Sequence, residues 1–151
     1  MTRHLPADLE YPPIKDSWIV NCGIYDYKLE DMQKILVVDD QQDMLILIKT
    51  ILAKRGFSVQ TDLTGVLVEH LEEDNFPDLI ILDLNLGNRD GGKICQGLKS
   101  SESTKHIPVI MVSSDLNLSQ ISRTCGAEDC LAKPFNDKQL IYKVLSFLKA
   151  A

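Results

Sequence analysis

Four short apolar runs, each stopping on a polar or charged residue, constrain this chain more than any other feature. They are "ILVVDD" at 35–40, "LIILD" at 79–83, "PVIMVSS" at 108–114 and "CLAK" at 130–133. Runs of three to five apolar residues, many of them β-branched, are too short for a buried helix and match strands covered on both faces. A weaker run, "FSVQTD" at 57–62, reads as a further strand between the first two. The intervening text has helical spacing. In "QQDMLILIKTILAKRG", Leu45, Ile48 and Leu52 fall on one face and Gly56 is a stop signal. "TGVLVEHLEEDN" reads as a second helix, and Asp90 can cap a third through "GGKICQGLKSS". "DLNLSQISRTCG" closes on Gly126, and "NDKQLIYKVLSFLKA" places Leu140, Val144, Leu145 and Leu148 on one side. Strands alternating with helices predict an α/β fold: a doubly wound, five-stranded parallel sheet with helices on both faces.

That pattern begins at Lys34. Residues 1–33 read as an N-terminal extension and 34–151 as one domain, of a size that can bury a real core. The extension holds three of the six prolines and the only tryptophan, Trp18. Its apolar residues Trp18, Ile19, Val20, Ile24 and Tyr25 are too many for a solvated tail and predict docking on the domain or on a second copy. Net charge is −6, which weighs against a nucleic-acid partner. No apolar run approaches the roughly 20 residues of a membrane span, and "MTRHLPADLEYPP" lacks the core of a signal peptide. A cytoplasmic protein with no membrane contact is expected. Cys22, Cys95, Cys125 and Cys130 form no C-x-x-C pair, so reduced structural thiols are expected rather than a zinc site. His4, His70 and His106 have no neighbours suggesting a triad and are expected at the surface.

In doubly wound sheets the functional crevice lies beyond the carboxyl ends of the strands. Asp39 and Asp40 end the first strand, Asp83 the third, Ser113 and Ser114 the fourth, and Lys133, followed by Pro134, the fifth. Alone, each is unremarkable. Asp39 and Asp40 could begin a helix, Asp83 could start a turn, and a serine at a strand end says little. Together, three carboxylates on neighbouring strands would repel unless a hard cation joined them, and oxygen ligands suit magnesium or calcium. A lysine and a hydroxyl beside them suit a transient phosphoryl group on one carboxylate.

"ILVVDD", "LIILDL" followed by "DGG", "PVIMVSS" and "LAKPF", in this order and spacing, resemble the receiver domain of two-component response regulators, a flavodoxin-like fold. The resemblance covers 34 to about 150. It implies that Asp83 is the phosphoacceptor and that Asp39 and Asp40 are the acidic pair at a Mg2+ ion, with the backbone carbonyl of Asn85 as a further ligand. Ser113 then takes the switch hydroxyl's place, Lys133 that of the phosphate-binding lysine, and Pro134 that of a residue commonly preceded by a cis peptide. The implied function is signalling rather than metabolic catalysis: self-catalysed phosphorylation and dephosphorylation of Asp83. A sensor histidine kinase or phosphotransfer protein would supply the phosphoryl group, and a downstream protein would respond. A homodimer is a further expected partnership.

Three departures stand out. Gly87 occupies the place of a usual proline, Cys130 that of a usual aromatic residue three before the lysine, and the extension lies outside the family pattern. A single-domain response regulator, or a receiver domain excised from a longer one, is expected, with no output domain within the residues up to Ala151. Among rival readings, a haloacid-dehalogenase-type hydrolase needs a second acid two residues after the nucleophile, where Asn85 stands. A receiver-like module that is never phosphorylated would not need Asp39, Asp40, Asp83 and Lys133 together. A flavodoxin-like cofactor binder would need a glycine-rich phosphate loop where "DDQQD" stands.

Overall fold

The computed structural model describes residues 32–149. The docking expected of Trp18 and its neighbours, and the places of Cys22 and His4, lie outside those residues. Five parallel strands form the main sheet: β1 (Lys34–Val38), β2 (Ser58–Asp62), β3 (Leu79–Asp83), β4 (Val109–Ser113) and β5 (Asp129–Ala132). Their order in space is β2-β1-β3-β4-β5. The chain therefore reverses its winding between β1 and β3, and this switch point opens a crevice above their carboxyl ends.

The apolar runs are continuous because both sheet faces are covered. Ile35, Val37, Leu79 and Ile81 face a core built with α1 (Gln42–Ala53) and α5 (Asp137–Leu145). Leu36, Val38, Ile80 and Leu82 face the opposite core, closed by α2 (Val66–Glu69), α3 (Gly91–Ser100) and α4 (Leu118–Cys125). Each fully buried side chain of this size contributes roughly 1.5–3 kcal/mol of transfer free energy. The expected face of α1 is the buried one, through Leu45, Ile48 and Leu52. Asp90 caps α3 through Gly92 N and Lys93 N, and α4 ends on Gly126.

Two elements differ from expectation. The second helix is one turn long, followed by a 3-10 turn at Glu73–Asn75. No side chain caps its start, and Glu69, Glu72, Glu73 and Asp74 crowd the end where the helix dipole favours cations. The last helix stops at Leu145, which is 39% exposed, and Ile141 takes its expected place in the core. No helix among the described residues is long and apolar enough to cross a membrane. Cys95 and Cys125 are buried, Cys130 is half-buried, and all three are free thiols. His70 and His106 are exposed.

Candidate functional site

Strand register assembles the site. Val38 pairs with Leu82, so the residues that follow, Asp39 and Asp83, leave the sheet side by side. Asp83 pairs with Val112 of β4, and Ser113 pairs with Ala132 of β5. Lys133 N then donates to Ser113 O at 2.9 Å, fixing the start of the lysine segment against β4. The Lys133–Pro134 peptide is cis.

Asp39 and Asp83 are buried, at 2% and 5% exposure, whereas Asp40 is open to solvent. Each of the three offers a carboxylate oxygen, and these oxygens lie within 4.8 Å of one another. Lys133 Nζ donates to Asp39 Oδ2 at 2.9 Å and to Asp83 Oδ2 at 3.4 Å. Asp39 Oδ1 also accepts from Gln41 N at 2.8 Å. Gln41, not either aspartate, holds the N-cap position of α1, so the pair is not there to cap that helix. Asn85 N donates to Asp83 Oδ1 at 3.3 Å. Ser113 is buried and its Oγ accepts from Asp115 N at 3.1 Å, which leaves the hydroxyl proton available to donate.

Burial, and after it the charge of Asp39, push the Asp83 carboxyl above its usual value. Lys133 and the Asn85 N–H pull it back without cancelling the rise. Burial alone would lower Lys133, but its hydrogen bond to Asp39 and the charges of Asp83 and Asp39 outweigh that and raise it. One ammonium thus serves two buried carboxylates, and Asp40 adds a third acid. The unbalanced negative charge and the all-oxygen donor set fit a hard divalent cation of the magnesium or calcium type. Gly91 sets the distance between this cluster and α3. A Cβ there would meet Asp83 O at 2.0 Å and Leu84 Cα at 2.9 Å, so only glycine lets the helix start so close to the aspartate.

The loop after Asp83 is a tight hairpin, with Asn85 and Leu86 paired to Asp90 and Arg89. Gly87 makes its turn at φ +61°, a backbone angle closed to proline. One further acid, Asp62, stands at a strand end, that of β2, and sequence position alone does not separate it from the cluster. It is buried, but its carboxylate accepts from Thr64 N, Thr64 Oγ1, Gly65 N and Val68 N. Those donors satisfy it locally and aim it at the start of α2, away from the cluster. The Thr64-Gly65 turn after β2 was the available sign of that local role.

Residues 35–145 match the family model of the response regulator receiver domain. The chain is 33% identical over 122 residues to the phosphate regulon transcriptional regulatory protein PhoB of Rhizobium meliloti, covering 80% of this chain and 54% of that protein. It is 35% identical over 123 residues to the DNA-binding dual master transcriptional regulator RpaA of Synechocystis, covering 78% and 50%. The chain therefore spans about half the length of these curated relatives. Among solved structures it is similar to the chemotaxis response regulator CheY4 of Vibrio cholerae, with a TM-score of 0.71, 25% identity, and 78% and 99% of the two chains covered.

Proposed function

This chain belongs to the response regulator receiver domain family, a family of signalling domains, and on that premise we propose that Asp83 is its phosphoacceptor. One observation carries the proposal: Asp83, at the carboxyl end of a central strand, shares a buried cluster with Asp39 and Lys133, with Asp40 at its open side. The carboxylate oxygen of Asp83 forms the new bond to phosphorus as the bond from phosphorus to the donor breaks, and the donor leaves with its electron pair. On a phosphohistidine donor the leaving group is an imidazole, which takes up a proton.

Asp39, Asp40, Asp83 and the carbonyl of Asn85 are the residues that would hold Mg2+. When bound, that ion supplies positive charge to the phosphoryl oxygens. Lys133 holds a phosphoryl oxygen by a charge-assisted hydrogen bond, and the Ser113 hydroxyl donates to another. Hydrolysis returns Asp83 to the free carboxylate, with water supplying the oxygen of the released phosphate. The donor is a sensor histidine kinase or phosphotransfer protein in the cytoplasm. The phosphorylated state changes affinity for a downstream protein by shifting a conformational population.

Incubation with acetyl phosphate and Mg2+, followed by intact-mass measurement, tests this reading. One added phosphoryl group is expected in the wild type and none in Asp83→Asn. Equal labelling of both proteins would remove Asp83 from the assignment.

A further inference from the structure

On the sheet face away from α1 and α5, a groove of about 530 Å³ runs between α2 and α3. It exists because α2 ends after one turn at Glu69 and leaves the flank of α3 uncovered. Its floor is apolar, from Val68, Ile94 and Leu98. Lys93 and Arg89 stand at its upper end, and Ser101 and Thr104 at its lower end.

Gly97 lies in this groove, in the interior of α3. A glycine there costs a helix about 1 kcal/mol relative to alanine. Its usual reasons are missing among the described residues. Its φ is not positive, and a Cβ built on it would meet nothing within 4 Å. Bare helix surface above an apolar floor is the shape that accepts a flat or bulky apolar side chain.

The position of the chain before β1 identifies the occupant. α3 begins at the carboxyl edge of the sheet beside Asp83 and runs back, so Ser101 and Thr104 lie at the edge where the strands start. Lys34, the first residue of β1, lies at that same edge. Residues 26–33 separate it from Tyr25 and can span up to about 26–29 Å when extended. The ten residues of α3 cover only about 15 Å. The segment "IKDSWIVNCGIY" at 14–25 carries a tryptophan, a tyrosine and four β-branched aliphatic residues. It is thus within reach of the groove's open end and has the apolar chemistry of its floor.

We propose that residues 14–25 of this same chain occupy the groove between α2 and α3, with Trp18 seated over Gly97.

Trp18 is the only tryptophan of the full chain, so its fluorescence reads the contact directly. Blue-shifted emission and weak acrylamide quenching are expected in the wild type. In Gly97→Lys, whose added side chain enters open space, emission should move to that of tryptophan in water. Quenching should rise at least threefold, with circular dichroism and Tm retained. A photo-cross-linking residue in place of exposed Lys93 should give cross-links to residues 14–25 in a product of monomer mass. Water-like Trp18 emission in the wild type would overturn the proposal. So would protection unchanged by Gly97→Lys, or cross-links that join two chains, which would assign the groove to a second copy.

Discussion

The ammonium of Lys133 sits closer to Asp39 (2.9 Å) than to Asp83 (3.4 Å), the residue proposed to carry the phosphoryl group. In the unphosphorylated protein the lysine therefore holds the acidic pair together, and its second bond is the looser one. A phosphoryl group on Asp83 would offer it better acceptors. Lys133→Ala should destabilise the metal-free protein by about 1–3 kcal/mol, because two buried carboxylates lose a charged partner. The sign with pH follows from the raised lysine. Its contribution is fully present at neutral pH and is lost only as pH climbs through a value above the ordinary lysine range. Urea unfolding at pH 7 and at strongly alkaline pH checks this. A variant equally destabilised at both would show that packing, not charge, is what the lysine supplies.

Asp83→Asn should act the other way on metal-free stability. Burial and Asp39 hold the Asp83 carboxyl above its usual value, so the folded state binds that proton more tightly than the unfolded chain does. Stability attached to this group is then present below the unfolded carboxylate range and falls away as pH rises through the folded value. At neutral pH the wild type carries the penalty and the asparagine variant does not. The expected gain in Tm without metal is roughly 4 °C, near 1 kcal/mol for a domain of this size. It should shrink as pH drops toward the carboxylate range, and Mg2+ should reverse it by stabilising only the wild type. Thermal melts over pH with and without the ion give the answer, and a wild type more stable than the variant in metal-free neutral buffer would contradict it.

The strand ends were readable because a parallel sheet buried on both faces demands unbroken apolar runs. Asp39, Asp83 and Lys133 stand out where those runs stop. The roles of neighbouring acids were less readable. Asp62 ends a strand just as Asp83 does; the Thr64-Gly65 turn is the one sequence sign that sets it apart, and the fold supplies the donors that close off its carboxylate. The second helix is shorter than its spacing implies, because its apolar spacing continues to Leu71 while its acids gather at the wrong end of the dipole. Spacing reports which face a helix would bury and does not report where the helix stops.

Asp40 and Asp62 make a matched test of site against scaffold. Asp40 is exposed and belongs to the three-carboxylate cluster; Asp62 is buried and fully engaged by backbone and hydroxyl donors. Asp40→Ala should weaken Mg2+ binding by about tenfold or more, at least about 1.4 kcal/mol, with little loss of fold stability. Asp62→Ala should leave Mg2+ affinity nearly unchanged and cost about 1–3 kcal/mol in stability, because four donors at the start of α2 lose their acceptor. Calorimetric titration of both variants beside their melting curves decides it. Equal loss of metal affinity in both would place Asp62 in the site.

A signal from Asp83 is expected to leave through the hairpin at 85–90 and the segment after Ser113 rather than through Cys130. In the resembling regulators an aromatic residue three before the lysine turns inward when the strand-four hydroxyl moves. Here Cys130 pairs with Met111 and is half-buried against the core beneath α3 and α4. An aromatic ring can bury some 150–250 Å², and a thiol on a single χ angle offers far less, so little free energy can depend on which way it points. The hairpin at 85–90 is better placed. It begins two residues after Asp83, turns on Gly87 and continues into α3, and Arg89 ties it to Gly65 O at 3.2 Å and to Glu69. Ser113 leads directly into Asp115, whose N–H its hydroxyl accepts. Chemical-shift changes on phosphorylation, followed by NMR, should therefore concentrate at residues 84–92 and 113–118. Cys130→Ser should leave labelling of Asp83 within about twofold of wild type, since a cost near 0.4 kcal/mol is the most such a swap should transmit. Shifts centred on β5 and α5 would instead show that this face responds without its aromatic residue, and a large labelling defect in the serine variant would make Cys130 part of the switch.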